Sequence, residues 1–199
     1  MRKNIFLPVV ATFSLLALST GLVLGQAQTN ETVRVLEVKA DAGCKNQADA
    51  DGNAAKLTKV LGLLENNINQ GIDNTHKFTH LSRKPGETVG ESVLTGNYNL
   101  LAANYVLTTS VTEFKYEKSE TPIDGNGIQV AAQCTVHLSG SAEFKKTNGL
   151  TANANFEVST NDSVAMNPNN LRVKNMGDNL LKAAAHEAAN QIVSQVVSQ

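Results

Sequence analysis

The sequence predicts an α/β fold: a mixed β-sheet of about five strands with helices packed on it, in the order β-α-β-(α)-β-β-β-α. Three observations carry it. From Ile128 to Lys145, 18 residues alternate apolar and polar with only Ala131 out of step. Asn53 to Asn69 carries one apolar stripe at helical spacing, and Gly177 to Gln199 carries another.

The elements follow in order. "TVRVLEVKA", Thr32 to Ala40, is rich in β-branched residues and predicts a first strand. "DAGCKNQADADGN" is polar and predicts a loop. Asn53 then offers an N-cap, and Leu57, Val60, Leu61, Leu64 and Ile68 fall on one helical face, with Gly71 placed as the stop. "KFTHLSRK", Lys77 to Lys84, predicts a short strand ended by Pro85 and Gly86. Glu87 to Ala103 has a weaker pattern, expected as one or two short helices.

Tyr105 to Glu117 predicts a long strand with faces Tyr105, Leu107, Thr109, Val111 and Val106, Thr108, Ser110, Thr112, Phe114. Neither face is charged before Glu113, so the expectation is a central strand covered on both sides. The alternating stretch predicts a half-exposed antiparallel strand, with Gln133, Thr135, His137 and Ser139 on its polar side. "KTNG" makes a turn into a hairpin partner, in which Ala152, Ala154, Phe156 and Val158 face the core. In the last helix Leu181, Ala184, Ala185, Ala188, Ile192 and Val196 form the apolar side.

The N-terminus reads "MRKNIFLPVVATFSLLALSTGLVLGQAQ". Arg2 and Lys3 precede an apolar run, and Gly25 and Ala27 stand at −3 and −1 of a cut after Ala27. That is a secretory signal layout, so residues 1–27 are expected to be removed and 28–199 to form a single domain. The rival is an uncleaved membrane anchor, since Ile5 to Leu24 is just long enough to span a bilayer. Gln26 stands where a lipoprotein would carry Cys, which argues against a lipid anchor. Cleavage leaves 172 of the 199 residues, and 15 of the 17 basic residues against 18 acidic, a net charge of about −3. No basic block remains to capture nucleic acid or an anionic membrane. The expected location is periplasmic or secreted. There Cys44 and Cys134 form a candidate disulfide closing about 90 residues, or stay as two buried thiols.

Catalytic and metal-binding patterns are sparse. His76 and His80 flank a strand start and lack a second ligand pair, while His137 and His186 lie on polar faces. Asp41, Asp49 and Asp51 lack the spacing of a calcium loop. "PGETVGES" lacks the ending of a phosphate-binding loop, and no GxSxG occurs. Two sequons, at Asn30 and Asn161, matter only in a glycosylating host. The expectation is therefore a non-enzyme with no metal and no cofactor, a small hydrolase being the last-ranked reading.

"KFTHLSRK", "LLAANYVLTTSVTEF", the strand turning at "KKTNGL" and "AAAHEAANQIV" occur in an order that resembles one known domain. It is the domain shared by the curli secretion channel protein CsgG and LpoB, the activator of a penicillin-binding protein. The matching stretches are Lys77–Arg83, Ala102–Phe114, Lys145–Leu150 and Ala183–Val193. Asn104 and Thr109 depart from the family's usual Asp and Gly, and no membrane-spanning second hairpin is visible. The resemblance implies a periplasmic accessory protein that binds an envelope protein, either a cell-wall synthase or a secretion component. The alternative is a self-assembling structural subunit, a homo-oligomer built from this domain.

Overall fold

The structure, a computed structural model, describes residues 31–81, 103–126, 128–146 and 151–198. Among them the chain runs β1 (Glu31–Val35), β2 (Lys39–Ala40), α1 (Ala42–Ala50), α2 (Ala54–Thr75), β3 (Phe78–His80), β4 (Tyr105–Pro122), β5 (Val130–Lys146), β6 (Thr151–Met166) and α3 (Leu171–Val197). The six strands form one sheet in the order β3-β1-β4-β5-β6, with β2 pairing β4 off this path. β1 is parallel to β3 and β4, and β4, β5 and β6 form an antiparallel meander. This is the mixed α/β fold with helices packed on the sheet that the sequence predicts.

β5 keeps the predicted alternation. Val130, Ala132, Cys134, Val136, Leu138, Ala142 and Phe144 are buried, and Ile128 alone of that face lies exposed, before the strand begins. β6 continues the pattern with Ala154, Phe156 and Val158. Against this face pack the α2 stripe Leu57, Val60, Leu64, Ile68 and Ile72, and the α3 stripe from Val173 to Val196. Glycines allow two close approaches: a Cβ added at Gly71 would lie 2.9 Å from Val193 of α3, and one at Gly140 would collide with the Ser110 carbonyl of β4 and the Phe156 ring of β6. At one end of the sheet Tyr105 stacks on Phe144, with Phe78 edge-on to both.

Several expectations are corrected. The first strand divides after Val35, because the Val38 N–H turns to the Glu65 carboxylate before β2 begins. The predicted loop contains α1, nucleated by Asp41, whose carboxylate accepts the Cys44 N–H at 2.6 Å. α2 passes through Gly71 and ends at His76, which takes the left-handed C-cap conformation at φ 54°. α3 starts at Leu171, with the Asn170 side chain capping Arg172 N–H at 2.8 Å.

β4 is not covered on both sides among the described residues. Leu107, Thr109 and Val111 are buried, while Thr108, Thr112, Lys115 and Glu117 are exposed. Its faces also exchange parity. Val111 pairs with Gly140 and Glu113 with Ser139, so Thr112 is an extra, bulged residue, and Phe114 returns to the core side. The signal segment 1–27, the cut after Ala27, Asn30 of the first sequon, the Pro85–Gly86 stop, and all of the Glu87–Ala103 region but Ala103 lie outside the described residues.

Candidate functional site

The three described helices bury against one face of the sheet, so β4, β5 and β6 turn their other face away from them. On it, cross-strand pairing sets Glu113 beside Ser139, Lys115 beside His137, and His137 beside Ser159. The His137 ring joins these rows. Its Nδ1 lies 2.9 Å from Ser159 Oγ and its Nε2 3.4 Å from Glu113 Oε2. Lys115 Nζ holds the other Glu113 oxygen at 2.5 Å. The Lys115 hydrogen bond and charge hold Glu113 below the usual carboxylate range, with His137 adding less, and Lys115 is raised in return. The face predicted from Gln133, Thr135, His137 and Ser139 is thus real, and its central histidine is tied to both neighbouring strands.

Ser159, His137 and Glu113 have the identities of a nucleophile, base and orienting acid. What they lack is an oxyanion site. The backbone amides of β5 are spent in two ladders. Glu157 N and O bond the Gln191 side chain, so every second β6 residue, Ser159 included, directs its amide off the sheet edge and not over the face. The row is a cross-strand network that ties the polar side chains of three strands together.

A second feature lies beside it, a cleft of about 610 Å³ between the α1–α2 junction and the far half of β4. Asp51, Asn53 and Lys56 line one side and Tyr116 to Ser119 the other, with Gln133 and Thr135 at its margin. Asn53 starts α2 without capping it. Its Nδ2 instead donates to Tyr116 O at 3.0 Å, and its Oδ1 accepts from Lys56 Nζ at 3.0 Å. Lys56 Nζ also stands 4.4 Å over the Tyr116 ring. Burial pushes the Tyr116 phenol up to about 12, with its hydrogen bond to Cys134 adding to the shift. Nothing in the sequence marks this cleft, because it arises where strands of unequal length meet.

The other candidate residues are dispersed. His80 lies 3.7 Å from Asp73, His76 caps α2, and His186 is exposed on α3. Asp41 is a cap, and Asp51 accepts from the Gln47 amide. Among the described residues no three potential ligands gather around a metal position. No described helix is long and apolar enough to cross a membrane.

Cys44 and Cys134 are both buried, and no bond joins them in this structure. The α1 cap bonds Val111 O, and Cys44 feels the charge of Glu113, whereas Cys134 pairs opposite Lys118. Five residues of strand, roughly 16 Å, separate those levels, far beyond the ~7 Å a bridge allows. Burial, more than any neighbour, raises both thiols and leaves them poor nucleophiles.

No family model and no curated protein matches the chain. Solved structures of similar shape include a minor lipoprotein from Acinetobacter baumannii, 10% identical, covering 85% of this chain and 92% of that one at a TM-score of 0.38. The hypothetical protein CT253 from Chlamydia trachomatis is 10% identical over 85% and 99% at 0.41. Lipoprotein GNA1162 from Neisseria meningitidis is 14% identical over 80% and 99% at 0.28. Likenesses this weak carry no function across, and the resemblance to the curli-channel and synthase-activator domain rests on its sequence motifs.

Proposed function

We propose that the chain is a non-enzymatic accessory protein of the periplasm that binds another cell-envelope protein. The observation that carries this reading is the polar face of β4, β5 and β6, left uncovered by the described helices and tied across its strands by the Glu113–His137–Ser159 network. Such a surface positions a partner without offering it a reacting group. The secretory layout of residues 1–27 supplies the location, and the motif resemblance supplies the partner class, a penicillin-binding protein or a secretion component. Crosslinking of the tagged chain in its host, with mass spectrometry of the adducts, tests it. Recovery of a synthase or a secretion component is expected, and recovery of neither overturns the reading.

A second reading, a self-assembling structural subunit, is favoured by one observation. Gln191 and Gln195 of α3 occupy the outer edge of β6 only at Asn155 and Glu157, leaving Ser159 to Ala165 with amides and carbonyls directed outward. Light scattering over a wide concentration range separates the two. A constant small mass supports the accessory protein, and growing rings or filaments support the subunit.

A further inference from the structure

β4 is paired with β5 along its whole length, to Pro122 opposite Val130. On its other side it is paired only at Tyr105–Leu107 by β1 and at Ser110–Val111 by β2. Beyond the bulge that second edge has no strand partner among the described residues. The direction of its groups follows from one contact: Tyr116 O leaves the edge to meet Asn53 Nδ2. Alternation then directs the N–H and C=O of Lys118 and Glu120 the same way, and neither has a backbone partner there among the described residues. Pro122, next in the series, has no N–H and ends the row. The open groups face the cleft between β4 and the α1–α2 junction.

We infer that this edge takes up an extended segment of the partner protein as an added strand, and the inference rests on the accessory reading above. Tyr116 to Glu120 span roughly 13 Å, which fits about four residues of strand. Charge selects the segment. On the helix side the added side chains meet Lys56, which has no carboxylate partner among the described residues, Lys118, shared with Glu120 at 2.9 Å, and Asp51, whose carboxylate accepts from the Gln47 amide. On the open side they meet Glu117 and Ser119. The segment therefore carries an acidic residue toward the helices and basic or neutral polar residues at the alternate positions.

The test places a photo-crosslinking amino acid in the full-length chain, in its host, at Ser119 in the cleft, Ser141 on the open face and Lys182 on α3. The expected result is a Ser119 adduct whose crosslinked peptide comes from one envelope protein and alternates acidic with basic or neutral side chains. Glu120→Ala keeps the edge N–H and should keep the adduct. Glu120→Pro removes that donor without touching a β5 ladder bond and should abolish it, with the melting temperature showing that the fold survives. Lys56→Glu should lower the yield about tenfold. Envelope adducts only from Ser141 or Lys182 overturn the strand-addition site and leave the accessory reading standing. A Ser119 adduct to a second copy of this chain overturns it in favour of self-pairing. An equal yield from Glu120→Pro overturns the backbone mode, and no envelope adduct from any position removes the accessory reading and this inference together.

Discussion

Gly177 and Tyr116 set how closely α3 approaches the sheet. A Cβ at Gly177 would collide with the Tyr116 hydroxyl and stand 3.0 Å from its ring. Lys56 lies over the ring and Cys134 bonds the hydroxyl, so Tyr116 has little room to yield. Alanine's better helix propensity returns at most about 1 kcal/mol, so Gly177→Ala should destabilise by about 1–2 kcal/mol net. Adding Tyr116→Phe removes the nearest atom and should recover part of the loss; chemical denaturation of the two variants measures it. The same packing gives a pH signature. The Tyr116 phenol titrates near 12 in the folded chain and at its ordinary 10 in the unfolded one, so its contribution is whole below pH 10 and is lost as pH rises through 12. The buried thiols, also raised, act with the same sign. Phenolate absorbance should therefore show a late component that Tyr116→Phe abolishes, and a tyrosine titration lacking it would contradict this packing.

At the scale of elements, the bulge in β4 decides which side chains reach the core. Because Val111 pairs with Gly140 and Glu113 with Ser139, deleting Thr112 makes the ladder regular and leaves every flanking residue on its own face. Deleting Ser110 restores the same count but turns Val111 outward and Thr112 inward. The second deletion should be the costlier by roughly 2 kcal/mol, the burial of one valine, and urea unfolding of the pair compares them. Strand β5 was legible because only Ala131 departs from its alternation. The bulge was not, since Thr112 is one more β-branched polar residue in a β-rich run. Helix α1 was hidden for another reason: only Cys44 and Ala48 of its nine residues are buried, too few to print a stripe. On the far edge, Gln191 bonds both backbone groups of Glu157, and Gln195 bonds Asn155 O. These amides stand where another strand would pair. Gln191→Ala with Gln195→Ala should leave circular dichroism unchanged and make the mass by light scattering rise with concentration; a constant mass would show that the glutamines do not guard the edge.

For the molecule as a whole, the layering puts every described helix on one side of the sheet and leaves the polar face of β4, β5 and β6 open. That face could be read from Gln133, Thr135, His137 and Ser139 alone, since period two assigns sides without knowing the partners. The cleft could not, because it depends on β1 and β2 stopping short of β4. Nor could the state of the cysteines, which depends on strand register. The register puts Cys134 under Tyr116 at the far arm and Cys44 near the bulge, so in this fold the two sulfurs cannot join the layers covalently. Stability then comes from the single buried cluster shared by the sheet, α1, α2 and α3. A bridge closing about 90 residues would have contributed roughly 3–5 kcal/mol by restricting the unfolded chain. Removing it would lower the melting temperature by roughly 6–20 °C, at about 2–4 °C per kcal/mol for a chain of this size. Protein isolated from an oxidising compartment should instead melt at the same temperature with and without reductant, and should show two thiols titrating only after denaturation. A large drop in melting temperature on reduction would mean that the register of β4 on β5, or the docking of α1, differs from the one described.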